Sequence, residues 1–187
     1  MGSDVIVQDI DRDGRDEIYA LVNRTWKADE GALYQLDLQG KVMKNATLPH
    51  APRSYRMLDD QPGFLYLTDN AGDVYKLDSS FRVVKKASFG GAVRFSGTGD
   101  YTGKGKQEFL AISYRYRQND TAAYDLSCLV LSSELEVLKK ITVAERLEAP
   151  PSDSFRLYNL IDIPSPDKGR HGFAALLDKI VVYKNGS

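Results

Sequence analysis

A chain of 187 residues can bury one substantial core, and its 42% hydrophobic and 27% charged content excludes a disordered tail or a fibre. The 25 basic and 26 acidic side chains are interleaved and leave a formal net charge of −1, so no basic footprint for nucleic acid or anionic lipid is present. No apolar run reaches membrane-spanning length, and the single cysteine, Cys128, sits in the apolar run LSCLVL, which excludes an intrachain disulfide.

The apolar residues fall in short blocks rich in Val, Leu, Ile, Tyr and Phe, bounded by turn residues, with no sustained helical period; this predicts an all-β chain. In chain order, a strand in SDVIVQDI leads into an acidic segment, DIDRDGRDE at 9–17, and then a second strand, EIYALVNR. A hairpin follows at 33–48, LYQLDLQGKVMKNATL. The pairs SYRMLDD with GFLYLTDN, and AVRFSGTGD with EFLAISYRYR, each precede a further hairpin, VYKLDSSFRVVKKASF at 74–89 and CLVLSSELEVLKKITV at 128–143. These three hairpins align without a gap, so that Leu36, Leu77 and Leu131 coincide, as do Val42, Val83 and Val137, and Lys44, Lys85 and Lys139. A fourth pair, FRLYNLIDI with GFAALLD, leads into IVVYKNGS, the first strand and turn of another copy.

Equivalent positions Leu33, Val74, Cys128 and Ile180 are 41, 54 and 52 residues apart, the range of a four-stranded propeller blade. The expected architecture is therefore a β-propeller or partial propeller of about four blades, each four-stranded and antiparallel, with the last blade incomplete. It forms a single propeller-like domain over 1–187, with repeats at approximately 4–48, 53–89, 91–144 and 154–187, or an excerpt of a longer protein. A missing last strand leaves one hairpin edge unpaired, so self-association or further blades of the same parent chain are expected.

The acidic segment has the spacing of a cation cage. With Asp9 as position one, carboxylates fall at three (Asp11), five (Asp13) and nine (Glu17), and Gly14 stands at six, where the chain must turn sharply. Alternate residues of a tight loop point to one centre, and hard oxygen donors converging there suit Ca²⁺; Arg15 would add its backbone carbonyl. An EF-hand would need a bidentate Glu at position twelve, which is Ala20, and the residues that follow are strand-like.

A calcium loop of this kind between two strands resembles the FG-GAP and VCBS repeats of integrin α-like propellers. Asp9-x-Asp11-x-Asp13-Gly14-x-x-Glu17 fits each ligand place of that motif. The resemblance implies a structural Ca²⁺ held by Asp9, Asp11, Asp13, Arg15 and Glu17. A second copy places Asp100, Thr102, Lys104, Gly105 and Glu108 at the same positions after Phe89-Gly90. Lys104 stands where a ligand should be, so no Ca²⁺ is expected there; its ammonium would neutralise Asp100 and Glu108 instead. A third copy, DIPSPDKGRHGF from Asp162, has Pro164 at position three and a late Gly169, and reads as a loop without metal.

Other signals are weak. Tyr114 and Tyr116 alternate with Arg115 and Arg117, which on a strand means packing on one face and solvated charge on the other. Trp26, the only tryptophan, lies between the second and third strands, and His50 and His171 are in no metal-ligand spacing. Sequons occur at Asn23, Asn45, Asn119 and Asn185: loop sites for glycans in a secreted eukaryotic chain, without meaning in a bacterial one. No nucleophile motif is present, although an acid/base site assembled from several blades stays open. The resemblance and its calcium loop imply a non-catalytic binding module, extracellular or periplasmic, where calcium is abundant enough to fill such a loop, for a protein or glycan ligand. The alternatives are part of a carbohydrate-acting lyase or hydrolase, or a spacer in a larger receptor or sensor.

Overall fold

The computed structural model describes residues 3–23, 31–50, 52–58, 60–69, 71–116, 123–147, 160–164, 171–176 and 180–183. These contain fifteen strands and no helix. The first four are β1 (Ser3–Gln8), β2 (Glu17–Asn23), β3 (Gly31–Leu36) and β4 (Val42–Leu48). Next come β5 (Pro52–Arg56), β6 (Phe64–Asp69), β7 (Asp73–Asp78) and β8 (Val83–Ser88). The set β9 (Ala92–Gly99), β10 (Glu108–Tyr116), β11 (Ala123–Leu131) and β12 (Val137–Leu147) is followed by β13 (Leu160–Pro164), β14 (His171–Leu176) and β15 (Ile180–Tyr183). Each run forms its own antiparallel meander: three four-stranded sheets in the order of the chain, and a sheet of three strands, β13-β14-β15. The chain divides into two compact units, Met1–Gly90 with the first two sheets and Gly91–Ser187 with the others.

The gapless match of the three hairpins has a direct physical basis. In each, a residue at the end of the inner strand (Asp37, Asp78 or Ser132) closes the turn with the same pair of backbone hydrogen bonds. Gly40 N–H donates to the Asp37 carbonyl at 2.9 Å, Phe81 to Asp78 at 2.8 Å, and Leu135 to Ser132 at 2.9 Å. Asp37, Asp78 and Ser132 in turn donate their own N–H groups to the carbonyls of Lys41, Arg82 and Glu136. Their side chains act alike too. Asp37 Oδ1 accepts from the Gln39 and Lys41 N–H groups, Asp78 Oδ1 from Ser80 and Arg82, and Ser132 Oγ from Glu134 and Glu136. A bulge precedes each turn at equivalent places on the inner strand, Gln35/Leu36, Lys76/Leu77 and Val130/Leu131.

The fourth turn residue is left-handed in all three: Gly40 at φ 79°, Phe81 at 63° and Leu135 at 59°. Glycine meets that demand without strain, whereas a Cβ there costs roughly 1–2 kcal/mol. Phe81 and Leu135 offset the cost by burial, and Phe81 packs edge-on against Tyr19 at 5.9 Å between ring centroids.

In the first unit, one face of each sheet supplies a shared core built on Tyr19, Leu21 and Leu33 from one side and Leu65, Leu67 and Leu77 from the other. The second sheet is also buried on its opposite face, through Tyr66, Thr68 and Val74. The sheet of β9 to β12 is likewise buried on both faces, Leu110, Ile112, Leu126 and Cys128 on one and Phe109, Ala111, Leu129 and Leu131 on the other. Two-sided burial is why GFLYL and LSCLVL read as unbroken apolar runs. Burial pushes the Cys128 thiol up to about 12, so it stays protonated at neutral pH.

The first sheet differs. Val5 and Val7 on β1 are 59% and 60% exposed, and Ile18, Ala20, Tyr34 and Leu36 continue that face by strand register. The edge strands β4, β8 and β12 carry exposed Lys44, Lys86, Lys139 and Lys140, charges that discourage edge-to-edge pairing.

Asn23 and Asn45 fall within β2 and β4 rather than on loops, because each continues a strand pairing: Asn23 opposite Gly31, and Asn45 opposite Tyr34. Asn119, Asn185, Trp26, Arg117 and the loop after Pro164 lie outside the described residues. Tyr114 packs against the core while Arg115 is exposed, 3.6 Å from Asp125.

Candidate metal sites

The turn joining β1 to β2 is organised by its own carboxylates. Asp9 Oδ1 accepts the Asp13 N–H at 3.1 Å and Oδ2 the Gly14 N–H at 2.9 Å. Asp11 Oδ1 accepts a second bond from Asp13 N–H at 3.1 Å, and Asp13 Oδ1 accepts the Arg15 N–H at 2.8 Å. Gly14 sits at φ 88° with open space where a Cβ would be, so the left-handed turn itself calls for glycine. Arg12 is left-handed as well, at φ 60°. Glu17, the first residue of β2, turns back so that Oε2 accepts the Ile10 N–H at 2.9 Å and the Tyr19 hydroxyl at 3.2 Å.

As a result, one oxygen from each of Asp9, Asp11, Asp13 and Glu17 lies within 4.8 Å of the others. Arg15 enters this loop through its N–H on Asp13. Burial, then the charge and hydrogen bond of Glu17, then the charges of Asp11 and Asp9, hold the Tyr19 phenol above its ordinary value. The phenol is therefore a fixed donor to Glu17.

The turn between β9 and β10 repeats half of this arrangement. Asp100 accepts the Lys104 and Gly105 N–H groups at 2.9 and 2.8 Å, as Asp9 does those of Asp13 and Gly14. The expected lysine substitute for a cation does not form: Lys104 extends into solvent and pairs with neither Asp100 nor Glu108 among the described residues. An exposed ammonium keeps its hydration there, and a shorter side chain does the work. Thr102 donates its N–H to Glu108 Oε2 at 2.9 Å and its hydroxyl to Oε1, satisfying a carboxylate that is 3% exposed. Thr102→Val should therefore destabilise the protein by about 1–3 kcal/mol, because it strips a donor from a buried charge. Lys104→Ala should be near neutral, and equal denaturant midpoints for the two variants would contradict this assignment.

A second cluster was invisible to spacing. His50 lies two residues before Pro52, whose register partner on β6 is Asp69, and Asp73 begins β7 across the turn. One ligand atom from each of His50, Asp69 and Asp73 lies within 4.8 Å of the others, and Asp69 is 2% exposed. Asp69 accepts the Asp73 N–H at 2.9 Å and the Tyr75 hydroxyl at 2.8 Å. Asp73 accepts the Ser88 hydroxyl and pairs with Lys86 Nζ at 2.6 Å. Burial would push the Asp73 carboxyl up, yet hydrogen bonds from Lys86 and Ser88, the lysine charge and Tyr75 together hold it below its ordinary value.

No protein-family model matches the chain, and no curated protein does. Among solved structures, a protein of unknown function from Bacteroides caccae is similar at 13% identity and a TM-score of 0.45, over 93% of this chain. The chain spans 56% of that protein's length.

Proposed function

We propose that the chain is a non-catalytic, extracellular or periplasmic binding module of the FG-GAP/VCBS propeller type, with a structural Ca²⁺ in its first β1–β2 turn. The observation that carries this reading is the convergence of Asp9, Asp11, Asp13 and Glu17. Four hard oxygens around one centre, with the Arg15 carbonyl as a fifth, suit a Ca²⁺ coordination shell, and the remaining places fall to water. The ion's task is to hold the entry to β2 by neutralising charges that the apo loop crowds together. Loops of this kind in extracellular modules fill at about 10⁻⁴–10⁻³ M calcium, which fits a location outside the cytoplasm. Chelation lowers the melting temperature on this reading; an unchanged melt with EDTA would count against it.

The sheets are read as blades of a propeller arc whose ligand is a protein or glycan. Sheets of this repeat are buried on both faces in two cases, but the first leaves Val5 and Val7 open. A further sheet of the same repeat is its natural cover, from the parent chain or, for the isolated 187-residue chain, from a second copy. The isolated chain should therefore self-associate in sedimentation or light scattering. Val5→Glu combined with Val7→Glu should shift it to monomer without loss of β circular dichroism. A wild-type chain that is monomeric at high concentration would contradict the arc.

A further inference from the structure

We propose a second metal site, chemically distinct from the acidic loop and independent of it: a borderline divalent transition ion, Zn²⁺ above all, bound by His50, Asp69 and Asp73. The three donors come from separate segments of the first unit: two residues beyond β4, the end of β6 and the start of β7. They gather within 4.8 Å of one another, yet His50 makes no hydrogen bond or ion pair among the described residues. Three donors gathered this closely, with the imidazole lacking a protein partner among the described residues, can converge on one shared ion at about 2.0–2.2 Å. An imidazole with two carboxylates is also the wrong set for Ca²⁺, which takes oxygen, and a usual one for zinc.

The outer partners of the aspartates are already in place. Tyr75 holds Asp69 through its hydroxyl at 2.8 Å, the Asp73 N–H holds the same carboxylate at 2.9 Å, and Ser88 holds Asp73. Such contacts orient ligands and leave the remaining lone pairs for an ion. The competitor is Lys86, whose Nζ is 2.6 Å from Asp73 Oδ2. Its side chain is 47% exposed, so it can swing into water when a divalent cation takes over the charge of the two carboxylates. Zinc and lysine are thus alternatives at Asp73.

Isothermal titration with Zn²⁺, in an Asp13→Asn background that disables the acidic loop, tests this. One equivalent should bind. His50→Gln, at a half-buried position, should keep the fold by circular dichroism and weaken binding at least about tenfold. His171→Gln, the other histidine, should leave it unchanged. Lys86→Met should tighten binding several-fold by removing the competitor, an effect no adventitious surface site would show. Absence of stoichiometric binding, binding that survives His50→Gln, or binding lost with His171→Gln would overturn the site.

Discussion

Leu33→Ala is expected to cost about 2–5 kcal/mol, a fall in melting temperature of roughly 4–20 °C for a chain of this length. Leu33 is fully buried where the two sheets of the first unit meet, among Tyr19, Leu21, Leu48, Leu65 and Leu67. Truncation removes three carbons from a close-packed seam that cannot collapse, because strands on both sides are fixed by their ladders. Leu38→Ala is the matched control: the same chemistry at a turn position 79% exposed, with an expected change within about 0.5 kcal/mol. Chemical denaturation of both variants reads the difference directly. Similar losses for the two would mean that Leu33 does not sit in the seam described.

The second large effect expected is that of the proposed calcium ion. At 100 times its dissociation constant, an ion that binds only the folded state adds about 2.7 kcal/mol, or roughly 5–10 °C. Asp13→Asn separates the ion from the loop. The amide oxygen still accepts the Arg15 N–H, now 2.8 Å away, so the turn survives, but one ligand charge is gone. In EDTA the variant should melt at or above wild type, since like charges are relieved. In millimolar Ca²⁺ the order should reverse, because only wild type gains the ion. The crossing is the diagnostic result. A variant that melts below wild type by the same margin in both buffers would show a turn residue and nothing more.

Much of the fold was legible in the sequence for reasons that particular residues make clear. The three hairpins aligned because Asp37, Asp78 and Ser132 each close the same turn through the same side-chain acceptor, so the chemistry repeats even where the letters differ. The strand boundaries followed from apolar blocks bounded by turn residues. Less was legible where side chains substitute for an expected rule. Phe81 and Leu135 occupy left-handed positions that sequence reasoning reserves for glycine, because burial of their side chains offsets the strain. At the second acidic turn, charge matching pointed to Lys104, but a buried carboxylate is better served by the close donors of Thr102.

The gathering of Asp9, Asp11, Asp13 and Glu17 was legible because all four lie within one local loop, where spacing dictates geometry. The grouping of His50 with Asp69 and Asp73 was not, since strand register alone brings them together. Pairing of Pro52 with Asp69 is a tertiary fact, and no short-range pattern announces it.

Tyr19 offers the most direct test of the proposed calcium site, because its hydroxyl is 3.2 Å from Glu17 Oε2 and within energy-transfer range of any lanthanide held there. Terbium titrated into the wild-type chain should give saturable luminescence on tyrosine excitation, reversed by added Ca²⁺. Tyr19→Phe should dim that signal while keeping the calcium-dependent melt, and Asp13→Asn should lose both. A calcium-reversible signal that Asp13→Asn leaves intact, or no saturable signal at all, would contradict a cation at the β1–β2 turn.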